Sequence, residues 1–159
     1  MRYLLTMRFC GENYHGWQVQ HNAVTVQQTV QDALERLFGS RPGLTGCSRT
    51  DSGVHASMFC AHFDIDTDIP ADKIPAALNA YLPEDIAVYA CRIVDNDFHA
   101  RYSANGKRYV YKILNSPYRN PFLTGRAYHV KQRLDLYSMQ RAAAVSYTHL
   151  RAVGGGYCA

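Results

Sequence analysis

No stretch of the sequence approaches the roughly 18 consecutive apolar residues that a bilayer-crossing helix needs. No two of its five cysteines stand in a C-x-x-C spacing. Cys10, Cys47, Cys60, Cys91 and Cys158 are odd in number and far apart, which argues against a zinc site or a disulfide framework and for reduced, mostly buried thiols. Glycine and proline are unexceptional at 11 and 6 in 159 residues, and no segment repeats. With 47% hydrophobic and 19% charged residues, a disordered, collagen-like or repeat-array chain is excluded. The opening MRYLLTMRFCGENYHGW lacks signal-peptide anatomy, because its short apolar stretch is interrupted by Arg8. A soluble cytoplasmic protein of one domain, or of two small halves, is the expectation.

The formal net charge of +4 conceals an uneven distribution. Residues 1–91 carry 6 Lys and Arg against 10 Asp and Glu, whereas residues 92–133 carry 9 against 2. That basic block is interleaved with Phe98, Tyr102, Tyr109, Tyr111, Tyr118, Phe122 and Tyr128. Cations and aromatic rings in alternation suit a surface that tracks phosphates and stacks on bases; they equally suit a solvated strand face with core aromatics behind it.

Period-two alternation of Tyr3, Leu5, Met7 and Phe9 predicts a strand. Thr25-Val-Gln-Gln28 is a capping box. Val26, Val30, Ala33, Leu34, Leu37 and Phe38 then mark one face of a helix that Gly39 stops. Short strands are expected at Leu44 to Cys47 and at Phe59 to Ile65. A helix is expected from Pro70 to Tyr81, facing inward through Ile74, Ala77, Leu78 and Tyr81, and a further strand from Ile86 to Ile93. The order is β-α-β-β-α-β. This predicts an α+β, ferredoxin-like half: an antiparallel or mixed sheet with helices on one face. Beyond it, Lys107 to Leu114 reads as a long alternating strand. The loop with Pro117 and Pro121 turns the chain back into Arg126–Val130, and Asp135 caps a helix through about Ala144. A second β-β-α set begins there and does not finish.

Chemistry concentrates in Gly46-Cys-Ser-Arg-Thr-Asp-Ser-Gly-Val-His-Ala56, a loop of small polar residues between two strands. The hydroxyls and N–H groups of Thr50, Ser52 and Gly53 are placed to hold an ionised Asp51 carboxylate. The alternative is an Asx-turn in which Asp51 caps its own loop. His55 and His99 lack metal-ligand spacing and read as loop histidines that make hydrogen bonds.

SRTDSGVHA resembles the catalytic signature of tRNA pseudouridine synthases of the TruA type. The likeness extends to Gly11-Glu-Asn-Tyr-His-Gly-Trp-Gln18, Thr25–Gln28, Ala61-His-Phe63, Ala77-Leu-Asn79 with Leu82-Pro-Glu-Asp-Ile86, Asp97-Phe-His-Ala-Arg101 and Lys107-Arg-Tyr-Val-Tyr111. These blocks fall in the family's order over about residues 2–144. The resemblance implies isomerisation of uridine to pseudouridine in the anticodon stem-loop of tRNA, with no cofactor and no metal. It implies that Asp51 is the catalytic carboxylate acting at C1′ of the target nucleotide. Arg49 would hold that nucleotide out of the stack, and Tyr109 would stack on its uracil. Phe98, His99, Ala100, Arg101, Tyr102, Lys107 and Arg108 would contact RNA. The family works as a cytoplasmic homodimer.

Two departures accompany the likeness. Met58 and Phe59 stand where many members carry a Gly-Gln pair before the strand. After about Ala144 the family's His-Asp-Phe block and second half have no counterpart, and neither has an arginine expected beside Asp51. The expected division is residues 1–105 as the catalytic half and 106–144 as the beginning of a second half. Residues 145–159 form a tail that does not match the family and reads as non-native, so the chain is expected to be C-terminally truncated. A non-catalytic RNA-binding fragment of such an enzyme is the rival reading. A hydrolase built on Asp51 and His55 lacks a second carboxylate at the motif.

Overall fold

The computed structural model describes the backbone of residues 1–152 and the side chains of residues 1–144. It divides into two compact units, Met1–Gly106 and a second that begins at Lys107.

In the first unit, β1 (Arg2–Phe9), α1 (Val26–Phe38), β2 (Leu44–Gly46), β3 (Ala56–Asp64), α2 (Ile74–Asn79) and β4 (Ile86–Val94) follow one another. The sheet order is β2-β3-β1-β4, with every neighbouring pair antiparallel. This is an α+β, ferredoxin-like half. The two-residue period of β1 sends Tyr3, Leu5, Met7 and Phe9 to one face, where they join Phe59, Ala61 and Phe63 of β3. Val26, Val30, Ala33 and Leu34 of α1 and Ile74 and Leu78 of α2 bury themselves in that same cluster, so both helices cover one side of the sheet.

Local signals explain the boundaries of α1. The Thr25 hydroxyl accepts the Gln28 N–H, and Gly39 closes the helix in the left-handed region at φ 70°, donating its N–H to the Glu35 carbonyl. The second helix is shorter than its sequence pattern. Pro75 lies in the first turn and has no N–H to give a carbonyl upstream, so residues 71–73 form turns and the helix runs only from Ile74 to Asn79. Tyr81 consequently lies beyond the helix and is exposed rather than facing the core. The side-chain amide of Asn79 instead ties α2 to β4, donating to the Val88 carbonyl at 2.7 Å and accepting its N–H at 2.9 Å.

The second unit contains β5 (Ile113–Asn115), β6 (Tyr128–Val130) and α3 (Leu136–Ala152). The long strand expected from Lys107 to Leu114 is not formed. A strand persists only where its ladder finds a partner, and among the described residues pairing starts at Ile113. The pairing is parallel rather than the reversal expected of the proline-bearing loop. Asp135 caps α3 as expected, its Oδ1 accepting from Tyr137 N and Ser138 N, and the helix continues past Ala144. The non-native reading of residues 145–159, and Cys158 with it, lies outside the described side chains. The other four cysteines are in no disulfide among the described residues, and they are half-buried rather than mostly buried. Among the described residues no helix is long and apolar enough to cross a membrane.

Candidate active site

The Asp51 loop sits on a second loop, residues 11–17, through backbone contacts that sequence patterning does not reveal. Trp17 N donates to the Thr50 carbonyl at 3.0 Å. The Tyr14 carbonyl accepts two bonds, from Gly53 N at 3.1 Å and from Ser52 Oγ at 3.3 Å. These are two of the donors expected to hold the Asp51 carboxylate; the Tyr14 carbonyl takes them instead. The Thr50 hydroxyl is buried and unpartnered among the described residues. The turn is closed by backbone, Val54 N to the Asp51 carbonyl at 3.3 Å, and not by an Asx-turn. Asp51 itself is exposed.

Two close approaches make this seat possible. A Cβ at Gly16, which lies at φ 83°, would come within 2.4 Å of the Thr50 carbonyl oxygen. A Cβ at Gly11 would fall 2.0 Å from the Val54 carbonyl oxygen. Tyr14 is fixed from its other end as well. Its hydroxyl donates to Asp85 Oδ1 at 2.6 Å, and burial together with that carboxylate pushes the phenol pKa far up. Asn13 and the Cys10 N–H complete the connection to Asp85. Beneath the loops lie the rings of Phe9, Trp17 and Phe59, with Trp17 and Phe59 centroids 4.3 Å apart.

Beside the Asp51 turn a cleft of about 280 Å³ opens. Arg49, His99, Arg101 and Tyr102 line it together with Trp17, Ser48 and the β2 residues Leu44, Thr45 and Gly46. The structure therefore brings Arg49 and three of the expected RNA-contact residues to one place, although fifty positions of sequence separate them. His99 and Tyr102 rings pack at 4.3 Å, and the Arg101 guanidinium lies 6.0 Å from the Tyr102 ring. Asp51 stands next to this cleft in sequence but is not part of its lining. Phe98 is half-buried, and Ala100 is turned inward at 2% exposure, so its contribution is its backbone. Tyr109, Lys107 and Arg108 are exposed in the second unit.

Sequence reasoning missed Tyr14, which braces the Asp51 loop, and Arg2 and His62, which bond to the turn after β4. His62 is buried, and its pKa is lowered, first by burial and then by the charge of Arg2 and the proximity of His99. Asp64 is held below the usual carboxylate range by its hydrogen bond from Arg2. Among the described residues no group of three or more His, Cys, Asp or Glu side chains gathers to hold a metal ion.

The chain belongs to the tRNA pseudouridine synthase family, whose model matches residues 5–103. It is 50% identical over 139 residues to tRNA pseudouridine synthase A of Ruminiclostridium cellulolyticum, covering 87% of this chain and 57% of that protein. It is 50% identical over 140 residues to the protein of the same name from Acetivibrio thermocellus, covering 88% and 57%. To that of Aquifex aeolicus it is 48% identical over 133 residues, covering 84% and 55%. The chain thus spans little more than half the length of these relatives.

Proposed function

We propose that this chain carries the catalytic half of an enzyme that isomerises uridine to pseudouridine in the anticodon stem-loop of tRNA. The observation that carries the reading is the Asp51 turn, a carboxylate on a braced loop beside a cleft lined by Arg49, Arg101 and Tyr102. In the reaction the N1–C1′ bond breaks, the uracil turns, and a C5–C1′ bond forms. C5 gives up its proton and N1 takes one, so atoms and electrons balance without a co-reactant. Asp51 acts at C1′, where its negative charge meets the positive character that develops on the sugar. Arg49 holds the target nucleotide out of its stack, which base chemistry requires. Tyr109 stacks on the extruded uracil. Phe98, His99, Arg101, Tyr102, Lys107 and Arg108, with the Ala100 backbone, contact the RNA. Because Asp51 is exposed, the bound RNA itself has to exclude water from the carboxylate. The whole enzyme is read as a cytoplasmic homodimer with tRNA as its partner.

That Asp51 is not part of the lining of the cleft favours a second reading, an RNA-binding fragment without turnover. Mass spectrometry of undermodified tRNA incubated with the chain separates the two. Turnover that Asp51→Asn abolishes, by several orders of magnitude and with binding kept, supports the enzyme. Binding without turnover supports the fragment, and appreciable turnover by the Asn variant overturns the role of Asp51.

A further inference from the structure

The turn bearing His99, Arg101 and Tyr102 has no regular secondary structure, yet it is tied to the sheet from beneath. Arg2 on β1 donates from Nε and Nη2 to the two Asp64 carboxylate oxygens at 2.8 and 2.7 Å. Its Nη1 donates to the carbonyls of Asn96 at 2.6 Å and Phe98 at 2.8 Å. On β3, His62 Nδ1 accepts the Ala100 N–H at 3.1 Å. The same ring lies edge-on to Phe98 and His99, with centroids 6.4 and 5.0 Å away.

Neither Arg2 nor His62 lines the cleft. The turn's internal bonds, Tyr102 N and Ser103 N to the His99 carbonyl at 3.0 and 2.8 Å, preserve its shape. They do not fix where it stands on the sheet; Arg2 and His62 do. A planar guanidinium is suited to this bridge because it serves one carboxylate and two carbonyls at once, which the point charge of a lysine does not.

We propose that Arg2 and His62 are positioning residues for RNA binding: acting through the backbone of residues 96–100, they set where His99, Arg101 and Tyr102 stand in the cleft. The proposal rests on the RNA reading above and names what makes its cleft competent. The side chains that would meet phosphate and base are long and exposed, so their reach is set by the footing of the turn. Removing the His62 acceptor leaves the buried Ala100 N–H unmet, and the turn gains by lifting toward water.

The test uses the full 159-residue chain. Affinity for an unmodified anticodon stem-loop RNA is measured by fluorescence anisotropy at fixed salt, and amide hydrogen exchange is followed at Ala100. His62→Leu is expected to speed exchange at Ala100 and to weaken RNA binding, each by about tenfold. His62→Asn, whose Oδ1 falls where Nδ1 was, restores both, a rescue that mere loss of packing would not give. Arg2→Lys weakens binding with little change in melting temperature. Arg101→Ala marks the RNA reading itself. If it weakens binding while His62→Leu and Arg2→Lys do not, the positioning role alone is overturned. If Arg101→Ala binds like the unaltered chain, the RNA reading of the cleft fails. An unaltered chain without RNA affinity overturns both.

Discussion

A histidine that accepts a backbone N–H must stay neutral to do so, and His62 is held neutral by burial, with Arg2 and His99 adding to the effect. Its folded-state pKa lies below the ordinary value of 6.5, so its stabilising contribution is complete above that pH. As the pH falls below 6.5 the unfolded chain takes up a proton first, and the contribution is lost progressively as the pH passes through the folded value. Urea denaturation at pH 7.5 and 5 is expected to show a lower midpoint in acid, and His62→Asn to flatten that difference. Asp64, whose carboxyl is depressed by Arg2, acts in a separate window below its ordinary 3.8. The side chains that brace the site were the least legible in the sequence. Asp51 and Arg49 stand out in a run of small polar residues. Arg2, Tyr14 and His62 each work through partners far away in sequence, and no local pattern signals such a bridge.

Helix α1 was readable to the residue because its signals are local: a hydroxyl three positions before the amide it caps, an apolar stripe, and a glycine at the end. The stretch 107–112 was not, because alternation predicts a strand only when a neighbouring strand supplies hydrogen bonds. The same contrast separates two glycines. Gly39 is left-handed in open space, and Gly39→Ala is expected to cost about 1 kcal/mol for the backbone alone. Gly16 is left-handed and also pressed against the Thr50 carbonyl. Gly16→Ala should therefore cost more, about 2 kcal/mol or above, since the Asp51 loop has to move off its seat. Thermal melts of the two variants side by side check this; equal melting temperatures would mean that the loop yields without cost.

Acidic residues dominate positions 1–91 and basic ones positions 92–133, so a polyanion is drawn to one part of the chain and repelled from the other. Charge reversal at Arg101, Lys107 or Arg108 is expected to weaken tRNA binding. For every phosphate left without its cation, the slope of log K against log salt should flatten by about 0.7–0.9. An unchanged slope would assign these side chains to the fold. The overall order of strands and helices in the first unit was visible in hydrophobic periodicity, whereas the sharing of one cleft by Arg49 and Tyr102 arises only when β2 and the turn after β4 come together. The single tryptophan adds a practical consequence. Trp17 is 2% exposed, packs on Phe9 and Phe59, holds the Thr50 carbonyl through its backbone N–H, and forms part of the cleft wall. Its emission is thus an intrinsic optical probe at the point where core, Asp51 loop and ligand cleft meet. A shift to longer wavelength reports the core opening to water, while a change of intensity at constant wavelength reports an occupant in the cleft, so one unlabelled fluorophore distinguishes unfolding from binding.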